Sequence, residues 1–551
     1  MGHEMNFKKN ESAQKLRGGY YTPPDLALYL SKWVAEANPK TILEPSCGDG
    51  VFLEALVSVL SRDAGITAIE LDSREARKAA ERVGGYEQAA TEILCADFLE
   101  WYLKSDPDNH CFDAVVGNPP FIRYQYLSEK DQKFSERIFT RHKLRFTRHT
   151  NAWVPFVIAS LSLLRPGGRM AMVVPAEIFH ILHAQSLRRH VGQHCKRIII
   201  IDPEEIWFDG TLQGAVLFLA EKKQNAGEHT AGLGIVPVAG NSFLNRSPSI
   251  YFDTANFMNG KSIEGKWTKA FLTKKESDIY DGITSNSSVR RFSEIANVDV
   301  GLVTGANKFF LVSDATVEKY NLDKWAHPMF GRAGHCPGVL YDEKQHRKNA
   351  VSGLPSNFLW FDVGDIHELP SHVRDYICTG ERDNLHTRYK CRIRKPWFRV
   401  PSVYSTSVGM LKRAHNMPRL IYNKMKAYTT DTAYRITATQ GDARKLVCCF
   451  INSLTALSAE IEGRYYGGGV LELVPSEIER LHIPIPGKTG VAMKSLDRMV
   501  RNLPANEVLE RQDKKVLGDL GLSNDEIACM QNSWDRLRKR RQRALSGKAG
   551  Q

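Results

Sequence analysis

Asn118-Pro119-Pro120-Phe121 is the stretch of this chain whose residue types speak most directly of chemistry. The Asn118 side-chain oxygen and the Pro119 carbonyl are two acceptors on a stiff segment, because each proline fixes its own φ and restricts the residue before it. Two such acceptors suit the hydrogens of an amine whose lone pair is delocalised into an aromatic ring. Holding both hydrogens pyramidalises the nitrogen and turns its lone pair toward an electrophilic methyl group for in-line displacement. Phe121 can stack on the ring that carries the amine. No metal, covalent intermediate or strong general base is needed, since the nitrogen becomes acidic once alkylated. Taken alone, Asn-Pro-Pro is also a common strand-ending turn.

A methyl donor must then be held nearby. Thr41-Ile42-Leu43 runs into Glu44-Pro45-Ser46-Cys47-Gly48-Asp49-Gly50 and the helical string Val51 to Leu60, the strand, glycine turn and helix over which a nucleotide-like ligand approaches the backbone. Glu70 ends the next strand, where a carboxylate can accept both ribose hydroxyls. A dinucleotide would use the same parts, but the third glycine of its fingerprint is missing, and Glu44 before Gly48 and Gly50 would repel a pyrophosphate. S-adenosylmethionine carries an ammonium and a sulfonium, which a carboxylate attracts. Asp97, after Ile93-Leu94-Cys95, can accept from the cofactor's adenine amine while Phe98 packs on its ring.

These groups need a sheet to carry them. Short apolar runs at 41–43, 66–69, 114–116, 170–174, 198–201 and 215–219 alternate with amphipathic segments, a rhythm that predicts a doubly wound α/β sheet. A helix over 152–164 is expected to stop at Arg165-Pro166-Gly167-Gly168. The pattern dissolves into Gly, Asn, Ser, Lys and Glu from 221 to about 265. The expected domains are therefore residues 1–250, 266–487 and a basic helical tail at 488–551, with Ile483-Pro484-Ile485-Pro486-Gly487 as a rigid linker.

The chain of 551 residues has a formal net charge of +13, which favours a polyanionic partner. No apolar run approaches the ~18 residues that span a bilayer, and the polar N-terminus lacks a signal-peptide core, so a cytoplasmic protein without membrane attachment is expected. The 10 cysteines show no metal-ligand spacing and read as reduced core residues; no metal site is expected. Lys133, Arg137, Arg141, Lys143, Arg145 and Arg148 follow the Asn-Pro-Pro-Phe loop and suit phosphate contact or a solvated face.

Read in order, Tyr21-Thr22-Pro23-Pro24, the Glu44 to Gly50 turn, Glu70-Leu71-Asp72, Ala96-Asp97-Phe98 and Asn118-Pro119-Pro120-Phe121 resemble the gamma-class adenine-N6 DNA methyltransferases of the TaqI type. The likeness is close over residues 18–220. It implies a class I methyltransferase (Rossmann-like) sheet, a C-terminal mixed α+β target-recognition domain and a helical tail. It implies S-adenosylmethionine as cofactor, contacted by Tyr21, Thr22, Glu44, Ser46, Cys47, Gly48, Gly50, Glu70, Leu71, Asp97, Phe98 and Asn118. Asn118, Pro119, Pro120 and Phe121 would hold an adenine flipped out of double-stranded DNA, with Phe208 as a second aromatic against it. Flipping costs a few kcal/mol, of which stacking on Phe121 returns ~1–3 kcal/mol. In the second half, Val300 to Phe310 and Tyr465-Tyr466-Gly467-Gly468-Gly469 look like recognition segments, and Arg392, Arg394, Lys395, Trp397 and Arg399 add basic and aromatic groups, as do Lys424, Lys426 and Tyr428.

Three rivals compete. An RNA or protein-glutamine methyltransferase uses the same loop, but the long basic second half favours DNA. A non-catalytic DNA-specificity subunit should have lost Asn118 or the glycine turn. A fused nuclease has no room before Gly18, whereas a separate cognate restriction endonuclease stays open as a partner, as does the choice between monomer and dimer.

Overall fold

Eight strands build the first half of the computed structural model, which describes residues 21–86, 89–106, 111–181, 184–204, 214–258, 265–466, 468–487 and 492–546. Gly18, Gly19, Tyr20, Phe208 and Gly467 lie outside the described residues. The strands are β1 (Thr41–Glu44), β2 (Gly65–Glu70), β3 (Ala90–Cys95), β4 (Phe112–Gly117), β5 (Leu164–Pro175), β6 (Cys195–Pro203), β7 (Ala215–Lys222) and β8 (Gly232–Val238). They form one sheet in the order β3-β2-β1-β4-β5-β7-β6-β8. β1 to β5 pair in parallel, and β7 runs antiparallel between β5 and β6.

Both faces of the sheet are covered, and the two-residue period of a strand sorts its side chains between them. Met170, Met172 and Phe218 enter a cluster capped by helix Trp153–Leu163. Ala171, Val173 and Leu217 enter the opposite cluster, under helices Pro24–Ala35 and Val51–Val59. This is the doubly wound arrangement expected. Its strand order reverses between β1 and β4, and the crevice outside the carboxyl ends of those strands is where such sheets bind ligands.

Several sequence expectations need correction. The Pro166-Gly167-Gly168 turn lies inside β5, which begins at Leu164. The stretch expected to dissolve after residue 221 contains β8, an edge strand parallel to β6. Its Gly232, Gly234 and Pro237 mimic loop composition, yet a Cβ at Gly234 would lie 2.8 Å from Ile199 Cδ1, so the glycine serves close packing. Finally, the chain divides into residues 1–273 with 542–551, and residues 274–541, rather than at 250 and 487.

The second unit contains a five-stranded sheet whose neighbours, in order, are Ala296–Val300, Ala433–Ala438, Val408–Leu411, Leu420–Asn423 and Leu340–Tyr341. The expected linker at 483–487 is part of it: His482–Pro484 pairs with Val289–Arg291. The expected separate tail also packs into this unit. Asp513 accepts from Ser453 N at 2.8 Å, and Arg541 pairs with Glu460 at 2.8 Å with both side chains almost fully buried. Among the described residues no helix is long and apolar enough to cross a membrane, and no group of three or more His, Cys, Asp or Glu could hold a metal ion.

Candidate active site

Four adjacent strands end in the residues the sequence singled out. β1 ends at Glu44, β2 at Glu70, β4 at Gly117 before Asn118, and Asp97 follows β3. Because β1 pairs with both β2 and β4, the glycine turn and the Asn-Pro-Pro-Phe loop leave neighbouring strands side by side. Gly117 permits their approach: a Cβ there would lie 3.3 Å from Pro45 Cδ.

The two loops are bonded to each other. Ser46 Oγ donates to the Asn118 backbone carbonyl at 3.0 Å. Asn118 Nδ2 donates to Thr22 Oγ1 at 3.1 Å, which fixes the amide with its oxygen as the acceptor end. Pro119 is buried, and Phe121 is half-buried, packed against both core clusters.

In the glycine turn, Gly48 and Gly50 have φ of 54° and 86°, left-handed values that favour glycine. A Cβ at Gly50 would also lie 2.8 Å from Ala79 Cα. Glu70 organises this turn, accepting from Gly48 N at 2.9 Å and from Asp72 N at 2.8 Å. A carboxylate offers about four lone-pair sites, so these bonds leave room for ribose hydroxyls. Asp49 pairs with Arg82 at 2.7 Å.

Glu44 is the electrostatic anomaly. It is 1% exposed, and neither carboxylate oxygen has a hydrogen-bond partner. Burial first, then the negative charges of Glu70 and Asp49, pushes its carboxyl well above the ordinary range. Native proteins rarely leave a buried carboxylate unpaired, because the group loses its hydration with nothing in return. A cationic ligand beside it would supply the missing partner.

Other expected contacts sort by exposure. Leu71 is 70% exposed, an apolar side chain at the end of β2 suited to cover a ligand ring. Phe98 is instead 2% exposed and packs 5.1 Å from Phe156, ring centre to ring centre, so it is a core residue. Asp97 caps helix Phe98–Lys104 through Leu99 N at 2.9 Å and Glu100 N at 3.1 Å. Tyr21 is exposed and donates to Glu75 at 3.0 Å. Cys47 is buried, burial raises its thiol pKa, and its Sγ donates to the Gly48 carbonyl at 3.9 Å.

Sequence reasoning missed what stands behind the Asn-Pro-Pro-Phe loop. Buried Glu177, just after β5, accepts through Oε1 from Asn151 Nδ2 at 2.6 Å and Trp153 Nε1 at 2.8 Å. Asn151 Oδ1 in turn accepts from Tyr124 N at 3.0 Å, and Ala152 N donates to the Ile122 carbonyl at 3.0 Å. The signal was a lone acid in the apolar string Val173-Val174-Pro175-Ala176-Glu177-Ile178-Phe179.

Residues 3–300 match the family described as N-6 DNA Methylase, and residues 264–517 match the family described as Type II methyltransferase M.Eco57I, C-terminal domain. The chain is 23% identical over 496 residues to Type II methyltransferase M.AccI of Acinetobacter calcoaceticus, covering 87% of each. It is 21% identical over 478 residues to Type II methyltransferase M.XamI of Xanthomonas campestris pv. amaranthicola, covering 85% of each. Among solved structures, the type IIG restriction endonuclease BpuSI matches 97% of this chain and 68% of its own, with a TM-score of 0.43 and 14% identity.

Proposed function

We propose, for a chain that belongs to the N-6 DNA Methylase family, a division of the methylation reaction among its own residues. The protein is an adenine-specific DNA methyltransferase of the restriction-modification kind, with the class I methyltransferase sheet. The gamma-class order of parts is our reading: cofactor turn, catalytic loop, then a recognition unit at 274–541 that engages double-stranded DNA.

The cofactor is S-adenosylmethionine, and buried, unpartnered Glu44 is the observation that carries this assignment. When bound it supplies a methyl group made electrophilic by a sulfonium. Glu44 meets the cationic methionine part, Glu70 the ribose, Leu71 the adenine ring and Asp97 its amine. The backbone of Gly48 and Gly50 admits the ligand closely.

The target adenine lies with its exocyclic amine between Asn118 Oδ1 and the Pro119 carbonyl, stacked on Phe121. Thr22 orients the acceptor by taking the Asn118 amide hydrogen at 3.1 Å. Ser46, bonded to the Asn118 carbonyl at 3.0 Å, sets the loop against the cofactor turn. The proton lost from the methylated nitrogen passes first to the acceptors that hold it and then to solvent. Phe208 remains our proposed second aromatic against the base.

Asn118→Ala is expected to abolish methylation while leaving cofactor affinity within a few-fold; retained activity would sink the mechanism. Modified-base sequencing of DNA from a host expressing the chain should show one recurring methyladenine motif. Methylated RNA without such a motif would instead favour the RNA reading. A separate endonuclease cutting the same motif is the proposed counterpart.

A further inference from the structure

Two segments of the second unit, about ninety residues apart in sequence, wall one cavity of about 800 Å³. Val300 to Val303 form one side, and Ile393, Arg394, Lys395 and Arg399 contribute another. Arg394 Nη1 clamps them by donating to the Thr304 carbonyl at 2.8 Å.

The charges lining this cavity are not balanced. Arg435 is 6% exposed, and its guanidinium donates to the Ser402 carbonyl at 2.8 Å and the Val300 carbonyl at 2.6 Å. The Tyr404 ring centre lies 3.6 Å from it. Yet its Nε has no hydrogen-bond partner, and among the described residues no carboxylate pairs with it, Asp299 acting on it through charge alone. Lys390 and Lys395 line the same cavity, exposed and without an ion pair among the described residues. The lining carboxylate, Asp362, is already taken by Arg399 at 2.8 Å. Apolar surface lies between the cations: Val303 is 37% exposed and Ile393 61%.

We propose that this cavity seats a length of DNA backbone, with Lys390, Lys395 and Arg435 meeting its phosphates and Val303 and Ile393 its sugars. The inference rests on the reading that residues 274–541 engage DNA. A small inorganic anion would satisfy one cation and leave the apolar wall bare. A repeating phosphate and sugar polymer satisfies both kinds of surface, and backbone contacts of this sort fix register without reading sequence.

The test is duplex binding by the full chain across a salt series, comparing wild type with Lys390→Ala/Lys395→Ala; both side chains are exposed, so folding is preserved. Each lost phosphate contact lowers the slope of log K against log salt by about 0.9, so the double variant should lose about 1.8. Its affinity should fall by similar factors on target and unrelated duplexes. Arg435→Lys, which keeps the charge but not the fork, should weaken both duplexes with the slope unchanged. An unaltered slope in the double variant, while the wild type binds DNA, overturns the proposal. So does a loss confined to one sequence, which would mean base reading. A wild-type chain that binds no duplex overturns the parent reading and this proposal with it.

Discussion

Glu44 is buried with neither carboxylate oxygen hydrogen-bonded, and that makes its energetics measurable. In the folded chain its carboxyl binds a proton more tightly than an ordinary carboxyl, chiefly because it is buried. The folded state therefore holds a proton that the unfolded state has released over the window between the ordinary and the raised value. Stability from this group is complete below that window and is lost as pH rises through it. Glu44→Gln removes this dependence. Without ligand the variant is expected to melt higher than wild type at pH 8, by a stabilisation of about 1–3 kcal/mol, while its affinity for S-adenosylmethionine falls at least tenfold. Calorimetry of both chains checks the pair of effects; a variant that binds the cofactor as well as wild type would remove Glu44 from the site. Wild-type affinity should also rise with pH through the same window, since binding a cation expels the proton. At this scale the sequence was a good guide to which residues gather. It was a poor guide to exposure: Leu71 and Phe98 follow from the same motif logic, yet one is 70% exposed and the other 2%.

The candidate site residues sit at strand ends, and what steadies each loop comes from elements distant in sequence. The bonds from Asn151 and Trp153 to Glu177 fix the chain just beyond the catalytic loop. Glu177→Ala should cost about 1.5–3 kcal/mol of stability, the range for hydrogen bonds to a charged group. It should also lower kcat for methylation more than it weakens cofactor binding. Glu177→Gln, whose single oxygen can accept both bonds, should restore most of the rate; failure of that rescue would show that the charge, not the positioning, matters. The strands β1, β2 and β4 to β7 were legible because each carries a short, largely apolar run. β8 was not, because an edge strand needs little hydrophobic periodicity and its glycines answer to Ile199, a long-range neighbour. Glu177 was hidden for a similar reason: its partners lie 24 and 26 residues earlier.

At the scale of the whole chain, the basic tail is the clearest departure from sequence expectation. The sequence predicts a separate basic helical tail, but Arg541 is buried against Glu460, and Arg536 pairs with Glu276 at 2.6 Å. Leu509, Met530 and Trp534 are at most 1% exposed. Truncation after residue 487 would strip these side chains from the second unit and leave Glu460 buried without its guanidinium, so the shortened chain is expected to be insoluble; a soluble, cooperatively melting product would show the tail to be dispensable. The hydroxyl of Ser46 carries a different consequence, one of thermodynamic reciprocity. It joins the glycine turn to the Asn-Pro-Pro-Phe loop, so under the proposed assignment of donor to the first and base to the second, a ligand that favours one arrangement of the first loop biases the second. Whatever factor the donor adds to the affinity for an extruded adenine, the adenine must return to the donor. Once the methyl has moved, the same tie acts in reverse, and a change of affinity at either loop is felt in departure from the other.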